Sequence, residues 1–239
     1  MKKIIVIAVL ILLAALAVSL MFFRHTPFAY SGVLEAVEVD VPARLNDTVA
    51  KMYFEEGQSV NAGDILARLD CKETSLSADI AKKQFERAKT LLKTAAGSKE
   101  NFDIKQNAYN QAALRESWCS AASPISGKVL YKYYEDGEFV TSGRKLYTVA
   151  DLSQIDAWVY VEHDMLANIK TGAKVKGLLP ESGQTFEGTV LTVNDEAEFT
   201  PKNVQTRKEK TRLVYGVKIR FANDTALTLK PGMDIEVTF

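Results

Sequence analysis

Histidine and cysteine are nearly absent from the sequence, with two residues of each type in 239. The histidines, His25 and His163, stand far apart with no cysteine or carboxylate at metal-ligand spacing, so we expect no metal site. No glycine-rich loop follows a strand and opens a helix, which argues against phosphate-binding catalysis. The 30 basic residues balance the 30 acidic ones, so no overall field attracts nucleic acid. The sequence therefore predicts neither an enzyme nor a cofactor.

One long apolar run stands at the N-terminus, over residues 4–23, with Lys2 and Lys3 before it and Arg24 after it. Twenty residues in a helix span about 30 Å, the thickness of the hydrocarbon core of a bilayer. Because lysines before a span tend to stay in the cytoplasm, we expect an uncleaved anchor with the body outside. The alternative is a signal peptide cleaved near residues 17–19, although the run is longer than a usual signal core. Either way, the body is expected to be exported.

Two stretches of the chain repeat each other at a constant offset of 80 positions, EEGQSVNAGDILARLD at 55–70 and EDGEFVTSGRKLYTVA at 135–150. The matched pairs are Gly57 with Gly137, Val60 with Val140, Gly63 with Gly143, Leu66 with Leu146, Leu69 with Val149, Val49 with Val129, Tyr53 with Tyr133, and Phe54 with Tyr134. Each copy is typical of short strands joined by turns that need glycine. Since one such module cannot bury its apolar face alone, we expect the copies to form one small sandwich.

The composition changes abruptly between the two copies. Residues 71–119 contain one glycine and no proline, and they are rich in residues that favour helices. We expect Gly97 to end a first helix and Ser98 to cap a second one. Apolar or small residues in the first helix follow the three-four spacing of a coiled-coil seam at Cys71, Thr74, Ala78, Ala81, Phe85, Ala88, Leu92 and Ala95. The second helix repeats this spacing at Phe102, Lys105, Tyr109, Ala112, Glu116 and Cys119.

The two seams have compatible registers for an antiparallel hairpin, in which the numbers of facing residues have a constant sum. That sum is 190 for Ala88 with Phe102, Phe85 with Lys105, Ala81 with Tyr109, Ala78 with Ala112, and Cys71 with Cys119. The register therefore places the two cysteines opposite each other at the base of the hairpin. Because disulfides persist in exported proteins, we expect a structural disulfide between Cys71 and Cys119. Two independent thiols are the alternative.

A lipoyl-like sandwich interrupted by a helical hairpin resembles the membrane fusion proteins, the periplasmic adaptors of the HlyD family. The segment ASPISGKVLYKYYEDGEFVTSGRKLYTVADLSQIDAWVYV, residues 122–161, is similar to the family's passage from the second lipoyl half into the barrel. Further strands at 155–161, 174–178, 185–193, 212–221 and 234–239, with a short helix at 162–169, are expected to form that small barrel. The segment 198–219 resembles a barrel passage of members that are paired with ABC-type exporters.

The resemblance implies a mainly β fold class with an α-helical hairpin and an N-terminal transmembrane helix. The expected domains are a membrane anchor at 1–24, a first lipoyl half with its lead-in strand at 25–70, a coiled-coil hairpin at 71–120, a second lipoyl half at 121–151, and a β-barrel at 152–239. Because the chain stops at Phe239, the membrane-proximal domain of larger adaptors is expected to be missing or minimal.

The implied function is that of an adaptor subunit linking an inner-membrane transporter, of ABC type, to a TolC-type outer-membrane channel. The family also implies assembly into a trimer or hexamer. It implies a single-pass protein of the inner membrane, with its body in the periplasm of a two-membrane bacterium. The basic run of the barrel segment is a candidate contact for the pump or for lipid headgroups, through Arg207, Lys208, Lys210 and Arg212.

The tip of the hairpin carries a motif of adaptors that meet such a channel, namely Arg, three residues, Leu, six residues, Ser. Here Arg87, Leu91 and Ser98 have this spacing. Arg87 and Leu91 also lie off the seam, on an outer face that the hairpin itself does not bury. We therefore expect these three residues to dock onto the channel and to contribute nothing to the fold.

Two other functions fit parts of the sequence. A lipoyl or biotinyl carrier would modify a lysine on a tight turn between the halves, and Lys72 is the candidate. However, residues 73–119 separate Lys72 from Ser120, so no such turn exists. A structural envelope protein without a transport role is the other alternative, and it would leave efflux intact when deleted.

Overall fold

The computed structural model describes residues 29–199 and 213–239. The predicted anchor at 4–23 lies outside the described residues, and so does the basic run from Arg207 to Arg212. No helix within the described part of the chain is long and apolar enough to cross a membrane. The chain divides into two compact units, of which one comprises Val33–Ala157 with Arg220–Met233 and the other the remaining described residues.

Between Tyr30 and Ser117 the structure describes four strands followed by two helices. They are β1 (Tyr30–Pro42), β2 (Asp47–Met52), β3 (Ser59–Val60), β4 (Ile65–Leu69), α1 (Lys72–Lys93) and α2 (Lys99–Ser117). The described residues of the second half are mainly β, with one short helix. Its elements are β5 (Ser120–Ala122), β6 (Gly127–Lys132), β7 (Phe139–Val140), β8 (Lys145–Glu162), α3 (His163–Leu166), β9 (Lys174–Leu179), β10 (Gln184–Val193), β11 (Glu198–Phe199), β12 (Leu213–Ala222) and β13 (Asp234–Thr238).

The two repeats bond to each other in a reciprocal pattern. Gly57 N–H donates to the Val129 carbonyl at 2.8 Å, and Gly137 N–H donates to the Val49 carbonyl at 2.8 Å. Both glycines have positive φ, +83° and +91°, which a residue with a side chain adopts only at a cost. Each copy therefore closes the turn of the other, and the two copies form one sandwich as the offset predicted.

The strand pairing of the sandwich has the same internal symmetry. Strand β2 pairs antiparallel with β4, and β6 pairs antiparallel with β8, each pair with a register shift at the matched position. One sheet has the order β5-β4-β2-β7. The core between the sheets takes residues from both copies, among them Val49, Val60, Leu66, Leu69, Val129, Val140, Leu146 and Val149. This shared core explains why neither copy needs to be stable alone.

The two long helices, α1 and α2, pack against each other as an antiparallel hairpin. The ring of Phe85 stacks on Tyr109 with centroids 5.4 Å apart and lies 5.6 Å from the ring of Phe102. Ala78 and Ala88 are the buried residues of α1. These are predicted seam positions, so the seam faces the partner helix. The supercoiling of the hairpin stays a prediction.

The end of α1 differs from the expectation. The helix ends at Lys93 with Thr94 as its C-cap, so the prediction that Gly97 ends it is wrong. Ala95, which was assigned to the seam, is exposed and has a φ of +55°. The Ala96 N–H closes the last turn by donating to the Leu91 carbonyl at 2.9 Å. Glycine at position 97 instead avoids a steric conflict, because a Cβ there would lie 3.0 Å from the Cβ of Leu91.

Strand β8 is continuous where two strands were expected, at 145–149 and 155–161. The sequence between them has no proline or glycine, and Asp151 accepts the amide and hydroxyl of Ser153 without interrupting the strand. The barrel strands otherwise lie close to their predicted positions. Within the second unit, β9 pairs antiparallel with both β10 and β13, and β11 pairs with β12. Their buried residues include Val159, Val161, Val175, Leu179, Val190, Val217, Ile219, Ile235 and Val237.

Candidate functional site

The candidate docking residues lie at the tip of the helical hairpin. Arg87 and Leu91 are one helical turn apart near the end of α1, and both are exposed. Leu91 keeps 39% of its surface exposed, and Gly97 lies so near that a Cβ on Gly97 would be 3.0 Å from the Leu91 Cβ. Within residues 29–199 and 213–239, the guanidinium of Arg87 has no ion pair or hydrogen bond. The tip thus presents a free cation beside an apolar side chain, a combination that suits a protein interface.

Ser98 has a structural role in addition to its place in the motif. It is the N-cap of α2, and its Oγ accepts the N–H of Asn101 at 3.1 Å. The predicted cap is confirmed. The expectation that all three tip residues contribute nothing to the fold is therefore wrong for Ser98, because a serine N-cap stabilises a helix by about 1 kcal/mol.

The base of the hairpin is joined covalently. Cys71 and Cys119 form a disulfide with their Cα atoms 6.0 Å apart, and they are 2% and 7% exposed. Cys71 has a φ of +49°, and its N–H donates to Oδ2 of Asp47 at 3.0 Å. The Leu69 N–H donates to the Cys119 carbonyl at 2.8 Å. Hydrogen bonds to the sandwich thus fix Cys71 and Cys119, the residues at which the chain enters and leaves the hairpin.

A cleft of about 370 Å³ lies beside this base, lined by residues 39–44 and 117–124 except 43, 119 and 123. Asp40 lies in the lining of this cleft, and its carboxylate accepts hydrogen bonds from Lys145 at 2.8 Å and from Thr148 at 2.6 Å. These hydrogen bonds, first that of Lys145 and then that of Thr148, lower the pKa of Asp40. A carboxylate held ionised in this way is unsuited to general-acid catalysis. The described residues contain no cluster of three or more His, Cys, Asp or Glu that could hold a metal.

Sequence reasoning missed a charged cluster between the two copies. The Nζ of Lys132 lies 2.9 Å from carboxylate oxygens of both Glu55 and Glu135, and hydrogen bonds to these two carboxylates raise the pKa of Lys132. Glu55 and Glu135 stand at the offset of the repeat. A second matched pair, Glu56 and Asp136, accepts backbone N–H groups across the copies. The offset itself was the signal that could have found them.

Comparison with known proteins matches one part of the chain to a known domain. Residues 37–152 match the family model described as the RND MFP barrel-sandwich hybrid domain. The uncharacterized protein YdhJ of Escherichia coli K12 is 22% identical over 239 residues, which cover 85% of this chain and 84% of YdhJ. The multidrug resistance protein MdtA of Yersinia enterocolitica is 27% identical over 233 residues, 80% of this chain and 50% of MdtA. The chain thus spans about half the length of MdtA.

Two solved structures show the same fold. One is a MacA–MexA chimeric protein with the α-hairpin domain of Pseudomonas aeruginosa MexA, at a TM-score of 0.67 and 23% identity, covering 87% of this chain and 78% of the chimera. The other is the membrane fusion protein Spr0693 of Streptococcus pneumoniae, at a TM-score of 0.61 and 17% identity, covering 87% of this chain and 96% of that one.

The architecture defines the class, a barrel-sandwich hybrid domain with a helical insertion and a β-barrel. Together with the sequence relatives, the match over residues 37–152 makes the chain similar to the membrane fusion (periplasmic adaptor) proteins.

Proposed function

We propose that this chain is the adaptor subunit of a tripartite efflux or secretion complex. In this complex it links an inner-membrane transporter to a TolC-type outer-membrane channel through the hairpin tip. The observation that carries the proposal is the contrast between Arg87 and Leu91, which are exposed at the tip, and Phe85, whose ring packs inside the hairpin. Because the seam between the helices is filled without Arg87 and Leu91, both side chains are available to a partner.

The mechanism is mechanical and requires several copies. One sandwich and one hairpin enclose no channel, whereas copies in a ring, as a trimer or hexamer, enclose one with the hairpins as its wall. The anchor at 4–23 would hold the ring at the inner membrane of a two-membrane bacterium, with the bodies in the periplasm. The energy comes from the transporter. The proposed domains at 25–70, 71–120, 121–151 and 152–239 correspond to the layers of this ring.

The class of transporter has two candidates. The family description of residues 37–152 favours an RND-type pump. The resemblance of the segment 198–219 favours an ABC-type exporter, and its basic run from Arg207 to Arg212 would contact that pump or lipid headgroups. A gene for a permease with an ATP-binding cassette next to the gene for this chain would favour the ABC-type exporter.

The proposal is tested by deleting the gene and restoring it, with efflux of a panel of fluorescent dyes and toxic compounds as the readout. We expect deletion to raise dye accumulation and sensitivity, and the wild-type gene to restore both. Efflux that is unchanged across the panel would instead support a structural envelope protein.

A Lys72→Arg variant serves as a control for the carrier alternative. Lys72 is 84% exposed and pairs with Asp70 at 2.8 Å, so arginine preserves the charge and the fold. The adaptor function predicts full restoration of efflux by this variant. A carrier would lose its modification site and with it the activity.

A further inference from the structure

The two ends of the sandwich, related by the offset of 80, are built differently. The position equivalent to Cys71 is Asp151, and the position equivalent to Cys119 is Val39. Asp151 lies within β8 and Val39 within β1, so at that end both segments continue as strands. At the hairpin end, β4 stops at Leu69 and β5 begins only at Ser120. The last bond of the ladder runs from the Leu69 N–H to the Cys119 carbonyl, so the disulfide lies directly at the end of the paired strands.

The change from strand to helix removes a source of cohesion at the hairpin base. Backbone groups in a helix bond within that helix, so α1 and α2 cannot continue the ladder between them. The next seam positions are also poorly suited to hold the base, since Thr74 and Glu116 are polar and only half-buried. Buried apolar packing between the helices starts at Ala78. The disulfide therefore joins the two chain segments between the last bond of the ladder, Leu69 N–H to the Cys119 carbonyl, and the first buried seam residue, Ala78.

A small rotation at this base has a large effect at the tip. The 22 residues of α1 give the hairpin a length of about 33 Å. A swing of roughly 10° at the base moves the tip by about 6 Å, which is more than one helical turn. This displacement is sideways, and it is large enough to move Arg87 and Leu91 out of hydrogen-bond and van der Waals reach of a fixed partner surface.

We propose that the Cys71–Cys119 disulfide is a permanent clamp that takes the place of strand pairing and fixes the direction in which the hairpin leaves the sandwich. Both cysteines are buried, at 2% and 7% exposure. Trp118 packs beside them against the sandwich core. Thiol exchange requires access to a sulfur atom, so dissolved reductants do not reach this bond in the folded protein. The clamp does not depend on the proposed function, which concerns only what the tip binds.

Hydrogen exchange on the full chain in detergent tests the clamp, by comparing the wild type with the double variant Cys71→Ser/Cys119→Ser. We expect exchange of the amides at 72–76 and 115–119 to become at least tenfold faster. The sandwich amides of Leu66, Val129 and Val149 should exchange at the wild-type rate. Unchanged exchange at the base would overturn the proposal. Equally accelerated exchange of the sandwich, or a variant that does not fold, would also overturn it, because the bond would then stabilise the whole domain.

Reduction of the wild-type protein tests the permanence of the clamp without any variant. In a phosphine reductant, the folded protein should keep its disulfide at least 100 times longer than the same protein in guanidinium. Trapping with iodoacetamide and mass spectrometry measures the fraction reduced. Reduction of the folded protein at a rate near that of the denatured protein would show an accessible switch instead of a clamp.

Discussion

Leu91 and Leu92 allow the docking surface to be separated from the hairpin core by one chemical change at neighbouring positions. Leu91 is 39% exposed at the tip, whereas Leu92 is half-buried on the seam. Glutamine is close to leucine in helix propensity, so Leu→Gln at either position leaves the helix itself almost unaffected. Fully burying a leucine stabilises a protein by about 2–3 kcal/mol. Glutamine keeps the Cβ and Cγ carbons of leucine, so only about half of the burial energy is lost. Since Leu91 is partly exposed, we expect a loss of about 0.5–1 kcal/mol for Leu91→Gln. For Leu92→Gln, which also desolvates the amide on the seam, we expect about 1–2 kcal/mol.

The assay combines urea unfolding followed by helical circular dichroism with dye efflux in cells that lack the native gene. Leu91→Gln should abolish efflux while its unfolding midpoint stays close to that of the wild type. Leu92→Gln should shift the midpoint further and retain efflux at a temperature where it is folded. Arg87→Ala should reproduce the behaviour of Leu91→Gln. The reasoning is refuted if Leu91→Gln supports normal efflux, or if it unfolds as readily as Leu92→Gln.

Further predictions concern the turns, the acid response and the anchor. Nothing lies within 4 Å of a Cβ at Gly57 or Gly137, so an alanine at either position is strained only by its positive φ. Each substitution should therefore lower the free energy of unfolding, measured with urea, by the same amount, about 1–2 kcal/mol. Clearly unequal losses would contradict the reciprocal turns. A hydrogen bond from Lys51, and then one from the backbone of Met52, lower the pKa of Asp136, so its contribution is present above the usual carboxyl pKa of about 4 and is lost as pH falls below it. Asp136→Asn should therefore weaken the fall of the unfolding midpoint between about pH 5 and pH 2, and an unaltered acid response would exclude this role. Osmotic shock should leave the protein in the membrane with residues 4–23 intact, and a mature N-terminus near residue 20 would show cleavage instead.

The repeat made the sandwich predictable because its signal is long-range. A match such as Gly57 with Gly137 indicates a shared backbone conformation. Two half-modules with the same conformation can bury their apolar faces by packing against each other. The same reasoning found the seam, since the three-four spacing follows from the geometry of a helix. The reciprocal bonds of Gly57 to Val129 and Gly137 to Val49 follow from these matches.

The features that were not predicted are those in which two local backbone conformations compete, such as a turn against a continued strand. Gly97 is the usual signal for a helix end, yet Thr94 and Ala96 close α1 earlier through bonds to the preceding turn. Strand β8 continues through Asp151 because hydrogen bonds to Ser153 satisfy a side chain that often marks a turn. The bond from the Cys71 amide to Asp47 joins residues 24 positions apart, and no spacing rule predicts it.

Photocrosslinking from the hairpin tip in living cells can show whether the chain is an adaptor that meets an outer-membrane channel. A photoreactive amino acid would replace Thr90, which is exposed at the tip between Arg87 and Leu91, so that both docking residues are kept. Leu76, which is 63% exposed on the same helix near the base, would be the matched control. We predict a crosslink from position 90 to an outer-membrane channel of the TolC type, identified by mass spectrometry, and none from position 76 to that channel. Illumination that gives no channel crosslink at position 90, or equal crosslinks at both positions, would contradict docking through the tip.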